Sequence, residues 1–238
     1  MRLRITFSKS GTLRYTGHLD LQSIWESTVR RAGLPLAYTQ GFHPSPKIQI
    51  ASALPLGFIG LAEIVDVWLQ DNVGAGFIPA QGGDEPRPYK DMLQPAAPPG
   101  LSIASVEEVD DHSPALQTQI ASAEYKVTLL EAVDESDLER RVEELLAAIS
   151  LLRERRGKQY DLRPLIEEIS LTPTPSRSIP VGLPEGEGQG VRVFMRLAAR
   201  EGATGRPDEV LDALGILLES TRIERTRLIL KDDIPLLA

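Results

Sequence analysis

The sequence contains no cysteine. That absence excludes disulfides, thiolate-ligated zinc, cysteine-held iron–sulfur clusters and cysteine nucleophiles within this chain. Histidine is nearly as scarce, since only His18, His43 and His112 are present. We therefore expect neither a histidine-rich metal site nor a bound cofactor. The phosphate-binding P-loop, the dinucleotide fingerprint and the Gly-x-Ser-x-Gly elbow are missing as well.

Long apolar runs are also missing. No stretch approaches the roughly 18 apolar residues that a membrane helix needs, and the first residues, MRLRITFSK, lack the apolar core of a signal peptide. A hydrophobic content of 42% and a charged content of 25% are ordinary for a globular protein. We expect a cytoplasmic protein without a membrane partner, built as one large domain or two small ones from its 238 residues.

Positive charge is scarce overall but unevenly distributed. The net charge of −8 argues against a nucleic-acid partner, because phosphate neutralisation drives such binding. However, residues 1–50 carry seven basic and two acidic side chains, whereas residues 101–150 carry three basic and twelve acidic ones. This asymmetry permits a local basic surface on an acidic protein. A functionless scatter of surface charge is the alternative.

The hydrophobic periods predict an α+β protein. Half-buried strands are predicted over residues 2–7, 62–69, 101–109, 124–132, 191–198 and 222–230, with shorter strands at 36–38, 48–53, 152–156 and 166–171. Helices are predicted over 18–32, 138–150 and 207–218. The order β-α-β-β-α-β thus occurs twice, which predicts two tandem ferredoxin-like plaits with antiparallel sheets, at 1–110 and 111–238. A single larger α+β sheet is the alternative.

Three segments modify this prediction. Glycine and proline interrupt residues 71–100, so the second helix of the first plait is reduced to at most one turn near 89–93. Residues 182–190, rich in glycine and glutamate, are expected to form a loop. The tetrapeptide from Ser136 to Glu139 predicts a capping box at the start of a helix.

His18 and Asp20 open the first predicted helix. A histidine and a carboxylate two residues apart can bind a metal together with His43, or the carboxylate can orient the imidazole as a general base. They can also contact a nucleic acid. The structural alternative is that Asp20 complements the positive helix N-terminus and His18 is a partly buried capping residue.

The segment from Gly41 to Lys47 (GFHPSPK) predicts a stiff loop that displays Phe42 and His43. Gly41 permits unusual backbone angles, and two prolines restrict the chain without internal hydrogen bonds. An aromatic ring beside basic groups suits stacking on a base while contacting its phosphate. The alternative is a wide turn in which Phe42 enters the core and Lys47 points to water.

Other basic and aromatic side chains accompany this loop. Arg30 and Arg31 suit the negative end of the helix dipole, yet they also precede Tyr38 and the loop. A basic face shared with Arg14 and Lys47 is therefore a hypothesis. A second basic cluster surrounds Tyr160 and comprises Arg153, Arg155, Arg156, Lys158 and Arg163. We interpret it as a solvated hairpin.

The motifs LRYTGHLDL (13–21), RRAGLPLAYTQGFHPSPKI (30–48), ALPLG (53–57) and AEIVDVWL (62–69) resemble a radical-SAM-linked family of bacterial domains of unknown function. Weaker matches are AEYKV, KQYDLRPLIEEISL and RTRLIL. In that family the domain stands alone or is fused to a B12-binding-type radical SAM protein. The resemblance implies a partner role beside a radical SAM enzyme and a link to RNA processing. It also implies that the iron–sulfur cluster belongs to the partner, since this chain lacks cysteine.

The favoured hypothesis is a non-catalytic accessory module that binds RNA or a nucleotide-bearing substrate for a radical SAM enzyme. The predicted contact residues are His18, Arg30, Arg31, Tyr38, Gly41, Phe42, His43 and Lys47, with Asp20 orienting His18. One alternative is an RNA-processing enzyme that uses His18 or His43 as general acid or base. Another is a purely structural interaction module. The sequence carries no signal for an oligomeric state.

Overall fold

The fold is mixed α+β with mostly antiparallel strand pairing, which confirms the predicted class. The structure is a computed structural model that describes residues 1–70, 88–155, 157–172 and 191–233. The chain divides into two compact units, Met1–Ile120 (unit 1) and Ala121–Ala238 (unit 2). A boundary after residue 110 stays a prediction. Residues 71–87, the predicted 182–190 loop and Arg156 lie outside the described residues.

In the part of unit 1 that the structure describes, four strands follow the alternation of apolar and polar residues. They are β1 (Arg2–Lys9), β2 (Ile48–Ile50), β3 (Ile59–Trp68) and β4 (Leu101–Val109). The strand order is β2-β3-β1-β4, and each neighbouring pair is antiparallel. The predicted strand at 36–38 is reduced to isolated bridges from Leu36 to Leu69 and from Tyr38 to Pro46. Those bridges form the base of the loop that contains Gly41.

Among the described residues of unit 1, three helices accompany these strands: α1 (His18–Arg31), α2 (Tyr89–Leu93) and α3 (Leu116–Gln119). Gly33, at a φ of 74°, follows the end of α1, a position and backbone conformation at which glycine is common. The short α2 is the single turn expected near residues 89–93, and a 3₁₀ turn (Gln94–Ala96) continues it. The α3 turn was not predicted.

The core of unit 1 lies between α1 and one face of the sheet. Phe7 of β1 meets Trp25 of α1 edge to face, with ring centroids 4.9 Å apart. The same buried cluster includes Leu3, Ile5, Leu21, Val29, Leu34, Leu36, Ile48, Ile50, Val65, Val67, Leu69, Leu93, Leu101 and Ile103. Because side chains alternate across a strand, the residues between these core positions on β1 and β3 point to the other face.

A charged cluster lies on that other face. Arg2 donates from Nε and Nη2 to Asp66 Oδ2 at 2.9 and 2.5 Å, and Arg4 donates from Nε to Asp66 Oδ1 at 3.0 Å. Arg2 and Asp66 are both buried. The guanidinium carbon of Arg2 is 4.7 Å from the ring centroid of Trp68. The carboxylate thus joins two cationic side chains of β1 to β3.

Unit 2 also contains an antiparallel sheet. Its strands are β5 (Ile120–Leu129), β6 (Leu152–Arg155), β7 (Lys158–Asp161), β8 (Ile166–Thr172), β9 (Arg192–Arg200), β10 (Ala203–Thr204) and β11 (Thr221–Leu230). The order is β10-β9-β5-β11, with β8 also pairing to β9. β6 and β7 form a separate hairpin.

The described ranges of unit 2 also contain two helices, α4 (Glu135–Ala147) and α5 (Pro207–Ala213). The predicted cap at Ser136 is wrong, because α4 begins earlier and the Asp134 carboxylate accepts from the backbone N–H of Asp137 at 3.1 Å. Aspartate is an equally good cap, and its position puts Glu135 in the first turn. The helix predicted to reach residue 218 ends at Ala213, since Gly215 adopts a φ of 68°.

Across the described ranges, no helix is long and apolar enough to span a membrane.

Candidate nucleic-acid interface

The two ends of α1 place the predicted residues in two separate groups. His18 and Asp20 lie in the first turn, whereas Arg30 and Arg31 lie in the last. A helix rises about 1.5 Å per residue, so His18 and Arg31 are separated by roughly 20 Å along its axis. The predicted contact residues therefore do not form one continuous cluster.

At the first end, Asp20 acts as a helix cap. Its Oδ2 accepts from the backbone N–H of Gly17 at 3.3 Å, which is the structural alternative to a role in orienting His18. No hydrogen bond joins Asp20 to His18 in the part of the chain that the structure describes. His18 is exposed rather than partly buried. An imidazole without an orienting partner is poorly placed for general acid–base chemistry.

At the other end, Arg30 is joined to Tyr38. The guanidinium donates from Nε (3.0 Å) and Nη2 to the Tyr38 hydroxyl, and Nη2 is 2.9 Å from Glu26 Oε1. The hydrogen bond to Tyr38 raises the pKa of Arg30, and the charges of Tyr38 and Glu26 act in the same direction. Arg30 is therefore a permanent, exposed cation that fixes the base of the following loop to the helix.

Arg31 is exposed and is held by a local contact. Its Nε donates to the carbonyl oxygen of Ser27 at 3.3 Å, one turn back along α1. It shares the C-terminal turn of the helix with Arg30. The helix dipole explains part of this placement, as the sequence indicated. The two guanidinium groups nevertheless bring two positive charges to the loop end of α1.

Hydrogen bonds close the base of the loop. The Thr39 N–H donates to the Ser45 carbonyl at 2.8 Å, and the Ser45 N–H donates to Thr39 Oγ1 at 2.9 Å. Below them, the Lys47 N–H donates to the Ala37 carbonyl at 2.8 Å. Gly41 has a φ of 137°, a region that favours glycine. The tip between Thr39 and Ser45 is consequently short and anchored on both sides.

The tip presents Phe42 and His43 to solvent. Phe42 is fully exposed, at 102% of its reference surface, so the alternative in which it enters the core is wrong. His43 is exposed too, and no ion pair or hydrogen bond of its side chain occurs within the described ranges. A fully exposed ring on an anchored loop can stack on a planar ligand without first leaving a core.

A cavity of about 590 Å³ opens beside this loop. Its lining includes Tyr38, Gly41, Lys47, Trp68, Gln70 and Asp111. The backbone of Lys47 is fixed there, because its carbonyl accepts from the Trp68 N–H at 3.0 Å. The volume lies within the range of small-ligand sites, and aromatic, amide and carboxylate groups line it together with one lysine. Of the predicted residues, the structure thus brings Tyr38, Gly41 and Lys47 together.

Arg14 does not belong to this surface, so the predicted basic face shared with Lys47 is wrong. The Arg14 carbonyl accepts from Gly57 N–H at 2.8 Å, just before β3 begins, whereas Lys47 pairs with Trp68, where β3 ends. A ten-residue strand spans about 30 Å at its usual rise. Arg14 instead donates to the Tyr15 hydroxyl at 2.5 Å.

The second basic cluster forms a hairpin, as predicted. Arg153 lies opposite Tyr160 in the β6–β7 pair, and its Nη1 is 2.9 Å from Asp212 Oδ2. Arg163 donates to the carbonyl oxygens of Leu146 and Ile166. Burial, and then Glu209, raises the pKa of Tyr160. Arg153 and Arg163 thus serve internal contacts, whereas Arg155 and Lys158 are exposed, as expected of a solvated hairpin.

A second surface, on the sheet of unit 2, was not predicted from the sequence. Phe194 of β9 is 36% exposed, and with Glu168 and Arg196 it lines a cavity of about 330 Å³. The signal was present in the strand VRVFMRLA, where Phe194 alternates with the buried Val193 and Met195 and so occupies the polar face.

Within the ranges described, no group of three or more histidine, cysteine, aspartate or glutamate side chains is arranged to hold a metal ion.

Fold and site together define a mixed α+β protein with an exposed aromatic loop beside a cavity and a local group of cations. The chain belongs to the DUF2344 family, whose model matches residues 2–207. That family is described as an uncharacterized protein conserved in bacteria. No curated protein matches the sequence.

Solved structures are similar to 95% of this chain at low identity. A chain of the "Crystal Structure of a Cbf5-Nop10-Gar1 Complex" has 13% identity and a TM-score of 0.46, with 48% of that chain covered. A chain of the "Structure of H/ACA RNP bound to a substrate RNA containing 2'-deoxyuridine" has 12% identity and a TM-score of 0.44, and 47% of that chain is covered. A chain of the "Crystal structure of the archaeal box H/ACA sRNP Nop10-Cbf5 complex" has 12% identity and a TM-score of 0.43, and 47% of that chain is covered. This chain spans about half the length of the chains it matches.

Proposed function

We propose that this protein is a cytoplasmic, non-catalytic RNA-binding module whose contact surface is the loop end of α1 in unit 1. One observation carries the proposal: an anchored loop exposes Phe42 and His43 beside a cavity that Lys47 lines. Stacking needs an accessible ring, and phosphate contact needs a nearby cation. The loop supplies both without reorganisation.

The charge distribution supports this placement. The whole chain carries a net charge of −8, so its average field repels a polyanion. Arg30, Arg31 and Lys47 nevertheless lie at one end of unit 1, and none of the three is buried. Screening limits the reach of distant acidic groups to about 8 Å at physiological salt. At the surface itself, Glu26 pairs with Arg30 and Asp111 pairs with the N-terminal ammonium group, so each of these carboxylates has a cationic partner.

At the level of fold, the proposal includes two ferredoxin-like plaits. The strand orders β2-β3-β1-β4 in unit 1 and β8-β9-β5-β11 in unit 2 support it. In each unit the first strand is followed by a helix, then by two strands that pair with each other, a further helix and the last main strand. This is the arrangement of a split βαβ fold.

A radical SAM partner is the more specific part of the proposal. It rests on the resemblance at residues 13–21, 30–48 and 53–57, and on a cysteine-free sequence that leaves the cluster to another chain. The module recruits the RNA or nucleotide-bearing substrate, and the partner performs the reaction. Within the described part of the chain, neither His18 nor His43 has the positioned partner that an independent enzyme would use.

RNA titration of a triple variant, Arg30→Gln, Arg31→Gln and Lys47→Gln, tests the surface. We expect affinity for single-stranded RNA to fall by at least about tenfold. The slope of log affinity against log salt should shrink by about 0.7 for each phosphate that the variant no longer neutralises. Phe42→Ala is expected to weaken binding with little change in that slope.

The matched control removes three cations elsewhere, by Arg14→Gln, Arg155→Gln and Arg200→Gln. Tyr15→Ala is the control for Phe42→Ala, because Tyr15 is an exposed aromatic at the opposite end of unit 1. Equal reductions of affinity in the triple variant and its control would show that net charge alone matters, and would contradict the proposed surface.

A further inference from the structure

The sheet of unit 2 carries an exposed aromatic ring on the face opposite its core. On β9, Val193, Met195 and Leu197 are buried, whereas Phe194 lies on the opposite side. Side chains of directly paired residues share a face of the sheet. Phe194 pairs with Lys126 of β5 on one side and with Ser170 of β8 on the other. The ring is therefore flanked by polar neighbours.

The adjacent row of the same face is charged. Arg196 pairs with Glu124 and with Glu168 in the two neighbouring strands. Its Nη2 is 2.8 Å from Glu124 Oε1, whereas its Nη1 is 3.6 Å from Glu168 Oε2. The side chain of Glu168 is 60% exposed and accepts no hydrogen bond within the described ranges. Glu168 thus offers an accessible carboxylate beside an accessible ring.

These side chains line one cavity of about 330 Å³, together with Thr226 of β11. Two carboxylates and one arginine disfavour a phosphate in this cavity, because the arginine is already paired. A planar group that can donate hydrogen bonds fits better. Cytosine, adenine and guanine carry exocyclic amino groups that donate to carboxylates, whereas uracil has none.

We propose that Phe194 and Glu168 form a second RNA site, at which an unpaired base stacks on Phe194 and donates its exocyclic amino group to Glu168. The site reads a base rather than the backbone, so its contribution is insensitive to salt, unlike that of the loop in unit 1. It extends the proposed RNA binding to unit 2 and requires single-stranded RNA, since the faces of a base in a duplex are covered by its stacked neighbours.

The test compares binding of short oligocytidylate, short oligouridylate and a duplex to the full chain. We expect Phe194→Ala to weaken oligocytidylate binding by at least about fivefold, and Phe194→Tyr to retain it. Glu168→Ala should bring the affinity for oligocytidylate down to that for oligouridylate. Leu130→Ala, which removes another exposed apolar side chain of unit 2, is the matched control.

A direct readout keeps the site testable if a variant misfolds. Ultraviolet cross-linking of oligocytidylate to the unmodified protein should label the tryptic peptide from Val193 to Arg196, which contains Phe194. Labelling elsewhere in unit 2 alone, or equal affinity for the two oligonucleotides, would overturn the proposal.

Different results reject the two proposed sites. A binding defect in the unit 1 triple variant with no effect of Phe194→Ala rejects only the second site. A normal unit 1 triple variant combined with a Phe194→Ala defect rejects only the loop surface.

Discussion

Phe42 and Phe194 expose rings that a folding chain ordinarily buries. Complete burial of such a side chain is worth about 1.5–3 kcal/mol, so exposure at both positions forgoes stability. Phe42 lies on an anchored loop next to the cavity that Lys47 lines, and Phe194 lies beside the exposed carboxylate of Glu168. An accessible ring close to the polar groups of a cavity is what ligand contact requires, and Phe194 also lines its cavity.

Asp66 illustrates a residue whose role is stability. It is fully buried and accepts hydrogen bonds from both Arg2 and Arg4. Asp66→Asn leaves the buried Arg2 charge without its counterion, and we expect the free energy of unfolding to fall by about 3–5 kcal/mol. Urea denaturation measures this decrease. The control Asp91→Asn, at an exposed position of α2, should change stability little; similar decreases in both variants would contradict the assigned role.

At the scale of secondary-structure elements, the local sequence pattern predicted that an element is present better than it predicted where that element ends. The strands β1, β3, β4, β5, β9 and β11 were predictable because alternation is a local property of the sequence. Helix ends were less predictable, since Asp134 and Ser136 are both good caps and the local sequence does not choose between them. The cavity beside the loop was unpredictable. Its walls combine Tyr38, Trp68 and Asp111, which only strand pairing brings together.

The loop anchor gives a prediction for this element. Thr39→Val removes the Oγ1 acceptor of the Ser45 N–H and keeps the side-chain shape. We expect RNA affinity to fall by about threefold, because a looser tip must be ordered on binding. Amide hydrogen exchange at Ser45 should become faster. Thr12→Val, at an exposed position near the other end of unit 1, serves as the control, and unchanged exchange at Ser45 would contradict the anchoring role.

The cap of α4 can be tested in the same way. Asp134→Ala removes the acceptor for the Asp137 N–H and should lower the free energy of unfolding by about 1 kcal/mol. Ser136→Ala, at the second position of the helix, should have a smaller effect. Thermal or urea denaturation compares the two. A larger decrease for Ser136→Ala would restore the capping box that the sequence predicted.

At the scale of the whole molecule, an acidic chain carries a small basic surface. The excess of positive charge in the first fifty residues was readable from the sequence, but its division between the two ends of unit 1 was not. A count of charges in a sequence segment does not show how far apart they lie in the fold. Here β3 separates Arg14 from Lys47 by about 30 Å. The sequence therefore predicted which residues carry charge, whereas the grouping of Arg30, Tyr38 and Lys47 is visible only in the folded structure.

Mapping of RNA cross-links on the full chain distinguishes the loop end of α1 from its opposite end. Trypsin releases residues 32–47 as one peptide, which contains Tyr38, Phe42 and His43, and residues 15–30 as another, which contains Tyr15 and His18. Ultraviolet cross-linking to single-stranded RNA, followed by mass spectrometry, should label the 32–47 peptide and leave Tyr15 and His18 of the 15–30 peptide unlabelled. Cross-links at Tyr15 or His18 without any in the 32–47 peptide would contradict RNA binding at the loop.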